Sequence, residues 1–292
     1  MTGFSVSVRN LSMRYGRTHA LTGATFDLEA GGIYGLLGRN GSGKTTLLSA
    51  LASLRPPASG EVLIEGEDPF ENERVMAGVC LVREAGDVSP DIKVRANLDY
   101  FARTWPTWDA DYAQSLVDLF DLDRGKAPRQ LSRGQQSALG AVVGLASRAP
   151  LTMFDEVHLG MDAPTRYAFY DTLLADVIEH PRTIVISSHL ISEVEKLFGG
   201  VVILDRGTVL LAEDAERVRA RGVTITGDRE AVDAVTTSLT VLATRELGRV
   251  REATVYGDLD ADTLNAARAA DLTVGGVGLQ DLFVHLTRKE SS

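Results

Sequence analysis

The stretch "GLLGRNGSGKTTLL", residues 35–48, decides the fold of this chain. A compact apolar run, "IYGLLG", leads into it, and the helical pattern "KTTLLSALASL" follows. Gly38, Gly41 and Gly43 let the backbone curl so that successive N–H groups point inward, and the helix beginning near Lys44 adds its positive end. A strand, a glycine-rich turn and a helix in this order predict a P-loop, which cradles the phosphates of a nucleotide.

Each polar residue of such a loop has a chemical task. The Lys44 ammonium neutralises the β- and γ-phosphates, and the Thr45 hydroxyl is a ligand of Mg²⁺. The sequence therefore predicts a nucleoside triphosphate with Mg²⁺ as the ligand. The predicted phosphate-binding residues are Gly38, Arg39, Asn40, Gly41, Ser42, Gly43, Lys44, Thr45 and Thr46.

A second stretch, "LTMFDEVHLGMD" at residues 151–162, places two adjacent carboxylates, Asp155 and Glu156, at the end of an apolar run. Adjacent residues of a strand point to opposite faces, so the two cannot do the same work. One carboxylate can hold the metal through water, and the other, at the frayed end of the strand, can reach a water in line with the γ-phosphate. Beside a P-loop, this pair predicts a site for phosphate hydrolysis.

Composition limits the possible partners. Of the 292 residues, 44% are apolar and 24% charged, which is typical of a soluble globular protein, and the net charge is −10. This acidic balance disfavours a sequence-independent grip on nucleic acid, and we expect no such partner. No apolar run approaches the roughly 20 residues of a membrane helix, so work at a membrane requires a spanning partner. The lone Cys80 rules out a disulfide within the chain.

Alternating strand and helix patterns predict an α/β fold with a mixed sheet. Residues from about 83 to 129 read as a helical insertion, and "GGVVILDRGTVLLAED" reads as a hairpin turning at Arg206 and Gly207. A second unit starts near Arg221 in the order β-α-β-β-α-β-α, which predicts a small α+β domain.

Three further motifs follow in one order: "LSRGQ" at 131–135, the strand "LTMFDE", and "VISSH" ending at His189. Together with the P-loop, they resemble the motifs of the nucleotide-binding subunit of an ABC transporter, over about residues 4–215. The resemblance implies an ABC ATPase cassette at 1–218, with a RecA-like core, an antiparallel β subdomain and a helical subdomain at about 84–148. Residues 219–292 are then a small C-terminal α+β accessory domain.

The resemblance also implies roles around the nucleotide. By position, Tyr15 in "MRYG" matches the aromatic residue that stacks on adenine, and Glu84 in "LVREAG" stands in the Q-loop, near the metal. Asp155 matches the Mg²⁺ carboxylate, Glu156 the general base and His189 the switch histidine at the γ-phosphate. An edge-strand aromatic is the alternative for Tyr15, and without the other motifs His189 would be interpreted as a buried core histidine.

Other motif residues match those that act across a dimer. Ser132, Gly134 and Gln135 correspond to residues that meet the γ-phosphate bound by the opposing subunit, and Asp162 to the D-loop aspartate at the dimer seam. The N–H groups and dipole of the helix that starts here suit a phosphate, although Ser132 could also serve only as a helix cap.

The sequence departs from the family pattern at three positions. Arg133 replaces a signature glycine, Val157 stands where proline is usual, and Leu159 removes a hydroxyl that could bridge the two halves of a dimer. The ending "GVGLQDLFVHLTRKESS" is similar to the tails of many bacterial exporter ATPases.

We therefore expect an ATP-hydrolysing, export-type subunit that uses ATP and Mg²⁺ at the cytoplasmic side of the membrane. Its expected partners are a transmembrane permease and a second ATPase subunit, identical or different, that closes head to tail. Two alternatives stay open: a soluble ABC ATPase without a transporter, and a weakly hydrolysing regulatory cassette of a heterodimer.

Overall fold

A computed structural model describes residues 3–83 and 87–287. The chain forms two compact units, one of Met1–His189 with Gly200–Ala212 and one of Leu190–Gly199 with Glu213–Ser292. The chain thus passes between the units at residues 189/190, 199/200 and 212/213. The sequence indicated a boundary only at 218/219, and that domain division stays a prediction.

The strands of the first unit are numbered β1 to β9 in chain order. They are β1 (Val6–Tyr15), β2 (Thr18–Leu28), β3 (Ile33–Gly38), β4 (Ser59–Ile64), β5 (Val79–Arg83), β6 (Leu151–Asp155), β7 (Thr183–Ser188), β8 (Gly200–Asp205) and β9 (Thr208–Asp214). Six form a sheet in the order β5-β6-β7-β3-β8-β9, in which β5 to β8 are parallel. The other three form an antiparallel sheet in the order β2-β1-β4.

The helices of this unit are α1 (Lys44–Leu51), α2 (Glu73–Met76), α3 (Val94–Thr104), α4 (Ala110–Leu119), α5 (Arg133–Ala146) and α6 (Ala163–Glu179). Every residue of β6 and β7 is buried, as expected of parallel strands covered on both faces. Parallel strands end at the same edge of their sheet, so β3, β6 and β7 bring Gly38, Asp155 and Ser188 to one side.

The predicted hairpin is confirmed. Strands β8 and β9 are neighbours joined by Arg206 and Gly207, whose φ angles of 44° and 83° are both positive. Such a two-residue turn matches the twist of the strands it joins. The predicted strand "LTMFDE" is one residue too long, because β6 ends at Asp155 and Glu156 turns into the left-handed region.

The second unit contains a four-stranded antiparallel sheet. Its elements are α7 (Ile191–Val194), α8 (Ala215–Arg221), β10 (Gly222–Asp228), α9 (Arg229–Thr236), β11 (Val241–Leu247), β12 (Val250–Tyr256), α10 (Ala261–Ala269), β13 (Thr273–Gly276) and α11 (Leu279–Leu286). From β10 onward the order is the predicted β-α-β-β-α-β-α. The sheet order β11-β12-β10-β13 is that of a ferredoxin-like split βαβ arrangement, which the sequence did not indicate.

The stretch "LISEVEKLF", residues 190–198, predicts one helix, but α7 is a single turn followed by a 3₁₀ turn at Glu195–Leu197. Helix α7 packs on α11, and the Ser192 backbone N–H donates to Gln280 Oε1 at 3.3 Å. Arg219 of α8 donates to the carbonyl oxygen of Glu195. The second unit thus holds the segment that directly follows His189.

In the described ranges, no helix combines the length and apolar character that crossing a bilayer requires.

Candidate functional site

The predicted phosphate loop lies between β3 and α1, as the sequence indicated. Gly41 and Gly43 have φ angles of 80° and 109°, which only glycine adopts at little cost. A Cβ on Gly43 would stand 2.8 Å from the carbonyl oxygen of Ala20, so that position also lacks space for a side chain. A cavity of about 490 Å³ opens here, lined by Thr18, His19, Ala20, Asn40, Gly41, Gly43, Lys44, Thr45, Thr46, Glu156, Arg206 and Gly207.

Lys44 is almost fully buried, and three oxygens lie within hydrogen-bond distance of its ammonium, among them the carbonyl oxygen of Arg39 at 3.4 Å. Its Nζ donates to the carbonyl oxygen of Gly38 at 2.8 Å and lies 3.0 Å from Glu156 Oε1. A buried ammonium needs such compensation, because losing water costs several kcal/mol in real proteins. Glu156 therefore neutralises the same ammonium that the sequence predicts to bind the phosphates.

Glu156 joins the phosphate loop to the end of β7. It has φ 54° and ψ 25°, just past β6, and this left-handed turn aims its carboxylate at both Lys44 and His189. Oε1 lies 3.3 Å from His189 Nδ1. Burial raises the pKa of Glu156, but the hydrogen bond and charge of Lys44, helped by His189, outweigh it and the net pKa is lowered. The carboxylate is therefore ionised at neutral pH.

Ser187 ties the two carboxylates together, and sequence analysis did not identify it. Its hydroxyl donates to Asp155 Oδ1 at 2.5 Å and accepts the backbone N–H of Glu156 at 3.0 Å. Asp155 itself is buried. One hydroxyl at the end of β7 thus fixes the end of β6.

His158 was also missed, although it lies inside the stretch that carries the carboxylates. Its Nε2 lies 3.0 Å from Ser188 Oγ, and its ring is fully buried. Burial lowers the pKa of His158 to about 4. The imidazole is therefore neutral at physiological pH. Only its closeness to Glu156 in the sequence could have drawn attention to it.

A second cavity, of about 400 Å³, brings together the residues predicted to act across a dimer. It is lined by Phe120, Ser132, Gly134, Gln135, Ala138, Gly160, Asp162 and Thr165. Gly134 packs so closely on the loop after β6 that a Cβ there would lie 3.0 Å from the Gly160 carbonyl oxygen. The start of α5 and the start of α6 are therefore held side by side.

The polar side chains at this second cavity also cap their own helices. Ser132 Oγ accepts the backbone N–H of Gln135 at 3.2 Å, and Gln135 Oε1 accepts that of Ser132 at 3.1 Å, which is a capping box. Asp162 accepts from the Thr165 N–H at 3.0 Å, and hydrogen bonding to Thr165 lowers the pKa of Asp162. The cap interpretation of Ser132 and a phosphate-binding role are compatible, because Ser132, Gly134 and Gln135 line the cavity while the cap is formed.

The structure does not bring every predicted residue to the first cavity. Tyr15 is 42% exposed and is not among the lining residues, and the Arg55 guanidinium stacks 4.4 Å from its ring centroid. His19 and Arg206 line the cavity instead and were not predicted. Gly38, Arg39 and Ser42 belong to the loop but do not line this cavity. Glu84 lies outside the described residues.

The donors at the site suit Mg²⁺ bound together with phosphate. Thr45 and Asp155 offer oxygen atoms, which this hard cation prefers, and Mg²⁺ is usually held by one or two carboxylates plus phosphates. Within residues 3–83 and 87–287, no group of three or more His, Cys, Asp or Glu side chains could hold a metal ion by itself. A cation here would depend on the nucleotide for its remaining ligands.

Comparison with known proteins agrees with this geometry. The ABC transporter family profile matches residues 21–158. The chain is 27% identical over 220 residues to the ABC transporter ATP-binding protein YtrB of Bacillus subtilis, covering 75% of each chain. It is also 27% identical over 304 residues to the Nod factor export ATP-binding protein I of Cupriavidus metallidurans, covering 98% of each.

A solved dimeric structure of a bacterial ABC transporter cassette superposes with a TM-score of 0.65 at 21% identity, covering 72% of this chain and 98% of that one. This likeness concerns the fold, and it confirms the α/β P-loop cassette that the sequence predicted. The motifs, the fold and the relatives agree: the chain belongs to the ABC transporter family as an ATP-binding subunit, and it is an ATPase.

Proposed function

We propose that two cassettes, at least one of them this chain, close head to tail around ATP and Mg²⁺ and drive export through a separate transmembrane protein. The observation that carries the proposal is the pair of cavities on one unit, which share no lining residue. One offers Lys44 and Glu156, and the other offers the start of α5 with Asp162. In a head-to-tail dimer, the cavity with Lys44 on one cassette would face the cavity with Ser132 on the other, and the two would enclose one nucleotide.

Lys44 and Glu156 are poised to exchange partners when nucleotide binds. The ammonium that contacts Glu156 at 3.0 Å would turn to the β- and γ-phosphates, because two or three phosphate charges attract it more than one carboxylate does. Glu156 would then be released to accept the proton of an attacking water as general base. Its lowered pKa keeps it ionised and able to take that proton.

His189 would hold the released carboxylate and the γ-phosphate in register. Its Nδ1 already contacts Glu156, and a third of its side chain is exposed. From the opposing cassette, Ser132 and the N–H groups of α5 would approach the same phosphate with the positive end of their helix. Charge developing on the phosphoryl oxygens would be stabilised from both sides.

Thr45 and Asp155 are the described residues that would hold Mg²⁺, and Glu84 is a proposed further ligand. The cation would neutralise phosphate charge that Lys44 alone does not balance. Asp155 would act from a fixed position, since Ser187 already occupies its Oδ1.

Export and the transmembrane partner are supported by a relative. The Cupriavidus protein that aligns along nearly the whole chain is named an export ATP-binding protein. We infer that this chain likewise works at the cytoplasmic side of a membrane, as the peripheral part of an exporter. The helical segment around residues 84–120 is the proposed contact with the spanning partner.

Purified chain tests the catalytic part of the proposal. Wild type should hydrolyse ATP with Mg²⁺, Lys44→Ala should lose nucleotide binding, and Glu156→Gln should bind ATP without turning it over. Analytical ultracentrifugation of Glu156→Gln should show a dimer with ATP and a monomer without it. Equal and slow turnover of wild type and Glu156→Gln would refute the base assignment and favour a regulatory cassette.

Co-purification from detergent-solubilised membranes tests the transport part. A multi-span membrane protein retained with the tagged chain, and released by high salt or by deletion within the helical insertion, is the expected result. A ribosome or DNA partner in its place would support a soluble ABC ATPase and contradict export.

A further inference from the structure

A second contact accompanies the one between Glu156 and His189. His158 Nε2 lies 3.0 Å from Ser188 Oγ, while Glu156 Oε1 lies 3.3 Å from His189 Nδ1. His158 follows Glu156 by two residues, and Ser188 directly precedes His189. Besides the Ser187 hydroxyl, two contacts between side chains therefore join the loop after β6 to the end of β7, one at the nucleotide site and one behind it.

The contact behind the site is shielded from solvent. Both His158 and Ser188 have no exposed surface. Water therefore does not compete for this hydrogen bond, and breaking it would cost the buried His158 Nε2 its hydroxyl partner. The Glu156–His189 contact, in comparison, is partly open, with 33% of the His189 side chain exposed. The contact that is better shielded from water is therefore the one to which sequence analysis assigned no role.

The surroundings of His158 leave its orientation to Ser188. Its Nδ1 is buried and meets no hydrogen-bond partner among the described residues. The Tyr170 ring lies 6.0 Å from the His158 ring between centroids, which is a packing contact. A neutral imidazole can donate or accept through Nε2, so one hydroxyl suffices to fix the ring.

We propose that His158 is a positioning residue for hydrolysis, whose bond to Ser188 fixes the backbone at His189 and thereby holds His189 against Glu156. This inference rests on the proposed roles of Glu156 and His189. His158 touches no reacting atom in this scheme. It acts through Ser188, because the hydrogen bond to Ser188 orients the next residue, His189.

If His158 only filled space in the core, different substitutions would be tolerated. Leucine at position 158 would then serve almost as well, and the Ser188 hydroxyl would be dispensable. If positioning is the role, His158→Leu and Ser188→Ala must both displace His189 and slow hydrolysis. His158→Gln must keep His189 in place and retain most of the activity. The glutamine amide reaches about as far as Nε2 and keeps a group that can hydrogen-bond.

The decisive measurement needs no nucleotide. The full chain has five histidines, few enough for imidazole ¹H–¹³C signals to be assigned by single substitutions. In Ser188→Ala, which leaves both rings in place, the His189 signals should move toward their position in Glu156→Gln. Ser147→Ala is the matched control, because Ser147 is equally buried and its hydroxyl bonds the Gly144 carbonyl away from the site. His189 signals that stay at their wild-type position in Ser188→Ala would overturn the proposal.

Turnover provides the second measurement. His158→Leu and Ser188→Ala should each lower kcat about 10- to 100-fold, since misplacement of a catalytic group by about 1 Å costs this much. The KM for ATP should stay near wild type, because the phosphate loop is untouched, and His158→Gln should recover most of the loss. Equal kcat in His158→Leu and His158→Gln would contradict positioning. An inactive wild type would refute the proposed function instead, while the signals of His189 would still decide the role of His158.

Discussion

Glu156→Gln removes the charge that contacts both Lys44 and His189. At 3.0 Å and an effective dielectric of about 20, the attraction between Glu156 and Lys44 is about 5–6 kcal/mol. Most of this offsets the desolvation of two largely buried groups. Glutamine can still form a neutral hydrogen bond in place of the charge-assisted one. The substitution should therefore lower the free energy of unfolding by about 1–2 kcal/mol.

The melting temperature should therefore show this loss of stability without any measurement of ATP hydrolysis. Without nucleotide, Glu156→Gln should melt about 2–8 °C below wild type, given about 2–4 °C per kcal/mol for a unit of this size. With saturating ATP and Mg²⁺ the deficit should vanish, because phosphates replace the carboxylate as partners of Lys44. Turnover should fall about 10²- to 10⁴-fold, as expected when a general base is removed.

The control for this prediction is Glu61→Gln, on the exposed surface of β4. It should change neither the melting temperature nor the turnover. If nucleotide-free Glu156→Gln melts like wild type, the ion pair contributes nothing and the partner exchange is wrong. If it hydrolyses ATP like wild type, another group takes the proton.

Three further outcomes follow from the structure. Gly43→Ala should weaken binding of a fluorescent ATP analogue at least tenfold, because φ is 109° and the new Cβ would meet a carbonyl oxygen of β2 at 2.8 Å. Asp176→Asn should lower the free energy of unfolding in urea by about 3–5 kcal/mol, because this buried carboxylate pairs with both Arg148 and Arg182. Binding of the analogue at low temperature should be unaffected. The pKa of His158 falls from 6.5 to about 4 on folding, so the unfolded chain takes up the proton first and stability drops as pH falls through this window. Between pH 7 and pH 5, wild type should lose about 2 kcal/mol more than His158→Gln in urea titrations.

The sequence predicted the strand, loop and helix of the phosphate site well, because their signals are local. Glycine spacing, apolar runs and the N-cap at Ser132 are properties of a few consecutive residues. The order of elements in the second unit was visible for the same reason. Its sheet order was not, because strand neighbours depend on contacts between distant segments.

The site residues that were missed share this non-local character. Ser187 matters because β7 lies beside β6, and His158 because its loop returns to the end of β7. Neither relation exists along the chain. The extent of β6 was misjudged because nothing in "FDEV" shows that Glu156 takes a left-handed turn, a conformation that its ion pair and the Ser187 bond support.

The membership of Leu190–Gly199 in the second unit bears on how this chain can be dissected. A truncation after Ala212 looks, on a linear map, like removal of an appendage. It would in fact remove α8 and α11, which hydrogen-bond to residues 190–199. That segment directly follows His189 in the chain. A loss of ATPase activity on trimming the tail would therefore be no sign that the tail performs chemistry.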